Sequence, residues 1–115
     1  MNIPGRRINE GEVVISDPFP RGGGGLLLRG QLIDNGGTTG STTVEVFTRN
    51  SEDDWPGTAL ATLTIGTTIA DVYELSLTPS GIKEELRLKI SGAASGWAVI
   101  RLFPPLFYDA AIGTL

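Results

Sequence analysis

Glu85-Leu86-Arg87-Leu88-Lys89-Ile90-Ser91 alternates without a break, setting Leu86, Leu88 and Ile90 against Arg87, Lys89 and Ser91. Successive side chains of an extended chain point to opposite faces, so this stretch reads as a half-buried strand. The same period recurs outward from it. Between Thr43 and Arg49, Val44 and Val46 point one way and Glu45 and Phe47 the other. Between Asp71 and Thr78, Tyr73, Leu75 and Leu77 share a face opposite Val72, Glu74 and Ser76. Residues 26–33, 58–65 and 97–103 are strand-like, and Glu12-Val13-Val14-Ile15 is a shorter candidate. Turn signals fall between them at Asp34-Asn35-Gly36-Gly37, Pro79-Ser80-Gly81, Gly92 to Gly96 and Pro104-Pro105. No stretch sustains a period of 3.6, and there is no internal repeat. The pattern predicts an all-β chain, a single antiparallel β-sandwich or jelly roll of about 6–8 strands.

Composition agrees. The 115 residues have room for one core, 40% of them are hydrophobic, and 16 Gly and 7 Pro punctuate stretches rich in Thr, Val, Ile and Leu. The net charge of −4 argues against a nucleic-acid partner, whose binding surface is basic. No apolar run approaches the roughly 18 residues that a membrane-spanning helix needs. The N-terminus does not read as a secretory signal. Charge is unevenly placed: residues 1–30 hold four Arg against three acids, and residues 31–60 hold one Arg against five acids. That asymmetry favours head-to-tail contacts between copies, or is simply a solvated surface.

The expected organisation is an extended N-terminal arm (1–25), a sandwich (26–103) and an apolar C-terminal segment (104–115) that is a tail or a last strand. Pro4, Pro18, Pro20 and the run Gly22-Gly23-Gly24-Gly25 leave the arm little regular structure, and the glycines read as a flexible hinge. Removing residues 1–20 is therefore expected to leave a folded sandwich. Apolar residues continue past Pro104-Pro105 through Leu106-Phe107-Tyr108 and Ala110-Ala111-Ile112, which suits an interface segment as well as a strand.

Residues able to carry chemistry are few. There is no Cys and no His, which removes thiol nucleophiles, His-dependent triads and Cys/His zinc sites. Glu52-Asp53-Asp54 lacks the order of a calcium loop, and Glu84-Glu85 points to opposite faces of a strand. A distant pair such as Glu45 with Glu74 is the remaining route to two facing carboxylates. The glycine run has no following Lys and no helix to make a phosphate cradle. The expectation is a protein that is not an enzyme and holds no cofactor or metal. Arg87, Lys89 and Arg101 read as a small basic patch on adjacent strands, with Glu74 or Glu85 as cross-strand partners. Trp97, leading a strand, reads as a plug at one end of the core. Trp55, in an acidic turn, is the aromatic best placed for exposure.

The hairpin from Val44 to Trp55, the strand Glu85 to Ile90 and the closing Trp97-Ala98-Val99-Ile100-Arg101 resemble the discoidin-like jelly rolls. Leu86 stands where those modules carry an aromatic, and the spacing after Ser51 departs by one residue from their Asp-Gly-x-x-Trp form. In size, composition and layout the chain is also similar to small phage decoration or cement proteins that sit on capsids. That similarity implies a structural virion protein bridging neighbouring shell subunits. Its partners would be the major capsid protein or other virion subunits, it would form a dimer or trimer, and its location would be the capsid surface. Arg6, Arg7, Phe19, Arg21, Leu106, Phe107 and Tyr108 are the candidate partner-binding residues. The alternative is a carbohydrate-binding module at a virion or tail surface, using Trp55, Asn50 and Asp53.

Overall fold

A computed structural model describes residues 3–36, 40–78 and 81–108. Among these there is no helix. The ten strands are β1 (Ile3–Ile8), β2 (Val13–Ile15), β3 (Phe19–Pro20), β4 (Gly25–Asp34), β5 (Thr42–Arg49), β6 (Ala61–Ile65), β7 (Val72–Leu77), β8 (Glu85–Ser91), β9 (Ala98–Leu102) and β10 (Leu106–Tyr108). All pairings are antiparallel.

Ten strands exceed the expected 6–8 because proline breaks two of them. β2 and β3 lie on the same edge of β8, with Asp17-Pro18 between them. β9 and β10 lie on the same edge of β4, with Pro104-Pro105 between them. Proline has no N–H to give to a ladder, and each interruption shifts the register by one residue. Ile15 faces Lys89 but Phe19 faces Leu86; Leu102 faces Gly30 but Leu106 faces Leu27. At the first break the Ser16 N–H donates to the Leu88 carbonyl at 2.9 Å, and Ser16 Oγ accepts from the Leu88 N–H at 2.9 Å. The hydroxyl thus replaces a ladder carbonyl where the chain bulges.

With each broken strand taken as one, the first sheet runs β1, β9/β10, β4, β7 and the second runs β2/β3, β8, β5, β6. The pairs β1–β9, β2–β8, β4–β7 and β5–β6 match each strand near one end of the chain with one equally near the other. This is a two-stranded ribbon rolled into a barrel-like sandwich, the jelly roll.

The core lies between the sheets and follows the alternation. Leu26, Leu28, Leu32, Ala98, Ile100 and Leu102 come from the first sheet, and Val44, Val46, Leu63, Ile65, Leu86, Leu88 and Ile90 from the second. Tyr73, Leu75 and Leu77 pack against them from β7.

The segment expected as an arm is extended but tied into both sheets. β1 is the edge of the first sheet, β2 and β3 are the edge of the second, and the Ile8 side chain is in the core. Its prolines are tolerated because an edge strand needs hydrogen bonds on one side only. Residues 106–108 form a last strand against β4; the apolar residues 110–115 lie outside the described residues.

The glycine run is a seat for aromatic rings, not a hinge. A Cβ at Gly22 would stand 2.8 Å from Phe107 Cδ2, and one at Gly25 would overlap the Tyr108 ring. Tyr108 crosses β4 over Gly25, and its hydroxyl reaches the β7 Leu77 carbonyl at 3.0 Å and Ser76 Oγ at 3.2 Å. The Gly25→Ala variant displaces this ring, and overpacking of this kind costs about 1–3 kcal/mol. Chemical denaturation should show that loss, and Tyr108→Ala in the same chain should relieve most of the clash.

Candidate interaction surface

The register of the first sheet determines what its outer face carries. Inward positions on β4 are Leu26, Leu28, Gly30 and Leu32, so Leu27, Arg29 and Gln31 point outward. They align with Ser76, Glu74 and Val72 of β7 on one side. On the other side Gln31 aligns with Arg101 and Leu27 with Leu106. Arg7 faces Val99 across β1 and β9. Residues up to 99 positions apart in the sequence, Arg7 and Leu106, therefore share one surface.

On that surface arginine stacks on aromatic rings. The guanidinium carbons of Arg29 and Arg101 lie 5.1 and 4.7 Å from the Phe103 ring centroid, and that of Arg7 lies 4.4 Å from Trp97. A guanidinium over the negative face of a ring is attracted by about 0.5–1 kcal/mol at exposed sites. The Nε of Arg29 is buried without a hydrogen-bond partner among the described residues. Ion pairs among the described residues are Arg6–Glu12 at 3.4 Å and Arg49–Glu85 at 3.7 Å. Arg29 is in register with Glu74 but not ion-paired with it, so Arg7, Arg29 and Arg101 keep charge that no contacting carboxylate among the described residues offsets. Exposed Leu106, Tyr108, Val72 and Ile33 complete the face. Exposed apolar area interleaved with Arg, Trp and Tyr is the composition of binding hot spots.

Most acids are elsewhere, in the connections between strands: Glu10, Asp17, Glu52, Asp53, Asp54, Asp71 and Glu84. A chain of net charge −4 thus presents three arginines on this face against Glu74, with most of its acids in the connections.

The outer face of the second sheet is built differently. Arg49 and Arg87 both lie over Trp55, at 4.3 and 4.6 Å, and Arg87 also approaches Phe47 at 5.9 Å. Phe47 points outward as its alternation requires, yet is buried. Glu85 bridges to Arg49, and the Arg49 Nη1 donates to the Asp53 carbonyl at 3.2 Å. The Nε atoms of Arg49 and Arg87 are, like that of Arg29, buried without a hydrogen-bond partner among the described residues, and the cluster fastens the loop after β5 to the sheet.

The structure brings together part of the predicted partner-binding set. Arg7, Leu106 and Tyr108 lie on the first sheet's outer face, Arg7 beside the Asp34 end of β4 and Tyr108 at its Gly25 end. Arg6 pairs with Glu12 near the β1–β2 turn. Phe19 and Phe107 pack against the core and meet edge-to-face at 6.4 Å. Arg21 donates from Nε to Gly23, from Nη1 to Ile82 and from Nη2 to Gly24, all backbone carbonyls. These last three residues serve the fold. Arg29, Arg101 and Phe103 belong to the face but were not among the predicted contacts. The signal that would have found them is the register of β4 with β9.

Of the alternative set, Asn50 and Asp53 are exposed and joined by a backbone turn, with the Asp53 N–H donating to the Asn50 carbonyl at 2.9 Å. Trp55 is half-buried, with two guanidinium groups over its ring. Trp97 is half-buried over Gly36, where a Cβ would overlap its ring, and lies on the outer face instead of plugging the core. The expected basic patch is divided: Arg87 and Lys89 are on the second sheet and Arg101 is on the first, pointing away from each other. Glu45 and Glu74 likewise project from opposite outer faces and do not meet. Among the described residues no group of three or more His, Cys, Asp or Glu side chains converges as a metal site would require. No helix among them is long and apolar enough to cross a membrane.

No protein-family model matches the chain, and no curated protein is detectably similar to it.

Proposed function

We propose that the chain is a structural virion protein that docks through the outer face of its first sheet onto neighbouring subunits of a capsid shell and stabilises them. The observation that supports this reading is the placement of Arg7, Arg29 and Arg101 with Trp97, Phe103, Leu106 and Tyr108 on one face, with none of the three arginines ion-paired among the described residues. The contact moves from the arm and tail to the sheet, because residues 3–20 and 106–108 are themselves strands. Stabilisation follows from mass action. A copy that binds only the assembled shell adds about 2.7 kcal/mol per site when its free concentration is 100-fold above Kd.

The test is co-sedimentation with assembled shells, measured with the shell's melting temperature. Arg7 and Arg101 are exposed, so Arg7→Glu with Arg101→Glu should leave the sandwich folded. Binding should fall at least tenfold, about 1.4 kcal/mol. The wild-type interaction should weaken as salt rises. A variant that binds and stabilises shells as well as wild type would sink the reading.

A further inference from the structure

We propose that two copies of this chain pair through β2, edge to edge, and continue the second sheet across a twofold axis. Four sheet edges are open, and two carry a guard of the kind that keeps edges from pairing. β1 has Arg6, Arg7 and a register shift, and β7 has Glu74 at its centre; β6 has no such guard, but its exposed side chains are Thr62 and Thr64, and on the remaining edge Asp17, Pro18 and Pro20 confine pairing to β2. β2 is Val13-Val14-Ile15, entirely β-branched and apolar, with Val13 52% and Ile15 53% exposed. Among the described residues it pairs with β8 alone.

The hydrogen-bond phase of β2 selects the occupant. The Ser16 N–H donates to Leu88 and the Gly92 N–H donates to the Glu12 carbonyl, so the even-numbered residues of this strand direct their backbone groups at β8. Val13 and Ile15 therefore direct theirs at the open edge. In an antiparallel pair, directly opposed residues exchange both of their bonds. A second copy placed with Val14 on the twofold axis sets Val13 opposite Ile15 and Ile15 opposite Val13. Every outward N–H and C=O of the strand then finds a partner, and each exposed apolar side chain meets another.

The pairing bears on the docking reading, although it does not depend on it. The twofold axis of an antiparallel strand pair is perpendicular to the sheet, so both copies turn their first sheets to the same side. A dimer then offers two arginine–aromatic faces to one shell and can span two subunits, gaining from effective concentration.

Sedimentation velocity of the full chain over a wide concentration range tests this. Wild type should reach twice the mass of the single chain, and Val13→Lys with Ile15→Lys should remain at half that mass with its thermal unfolding retained. If the double lysine variant fails to fold, Ile15→Pro replaces it, since the N–H it removes points away from β8. The sequence has no Cys, so Val14→Cys provides a unique thiol. Across the axis its Cα would lie about 4.5 Å from its mate, within the range disulfides take. Oxidation should yield a covalent dimer. A wild type that stays monomeric without Val14→Cys cross-linking overturns the pairing, as does a dimer indifferent to both edge variants. A monomer that still binds shells would remove the pairing and leave the docking reading in place; a β2 dimer without shell binding would do the reverse.

Discussion

A chain beginning at Arg21 is expected not to form a cooperatively folded sandwich. Residues 1–20 supply β1, β2 and β3, one whole edge of each sheet. Their loss removes the buried core side chain Ile8, worth about 1.5–3 kcal/mol, and the half-buried Val14 and Phe19 that pack against the core. It also opens the backbone of β8 and β9 to solvent. A domain of this kind is stable by only about 5–15 kcal/mol, and the entropy no longer spent on ordering twenty residues offsets only part of the loss. Circular dichroism melts and soluble yield would show the result: no sharp transition, and aggregation through the uncovered edges. A soluble truncation that melts like the full chain would mean that residues 26–108 form an autonomous unit.

The Arg21→Met variant is expected to lose about 3 kcal/mol, since hydrogen bonds to charged groups contribute about 1.5–3 kcal/mol each and three are removed from a partly solvated site. Methionine keeps much of the aliphatic length, so the effect isolates the guanidinium. It donates to the carbonyls of Gly23 and Gly24 and to that of Ile82. The connection leading into β4 is thereby pinned to the one leading into β8, and the seat for Phe107 and Tyr108 is held in shape. Thermal unfolding should shift down by roughly 10 °C for a domain of this size. A shift within error of wild type would mean that water satisfies those carbonyls equally well.

The central strands were legible because their message is local. The alternation of β5 and β8, and the opposed faces of β7, follow from nearest neighbours alone. The edge strands β1 and β3 were not legible: each makes half of its bonds to a distant segment, and Pro4, Pro18 and Pro20 obscure the rest. The glycine run looked like a hinge for a related reason. What demands small residues there is a pair of rings arriving from eighty residues further on. The candidate surface was half visible. Arg7, Leu106 and Tyr108 could be singled out as unusual, but the meeting of Arg29 with Phe103 depends on a register that no short window contains.

The ribbon arrangement also constrains when the chain can acquire its structure. The β5–β6 hairpin can close as soon as its residues leave the ribosome, whereas β1 has no strand to pair with until β9 emerges some ninety residues later. The nascent N-terminus must wait with Ile8 and Val14 uncovered until β9 and β8 emerge, and closure of such long loops is slow. Folding of this chain thus waits in its decisive step for β9, and a ribosome stalled before Ala98 would display a sheet lacking its partner.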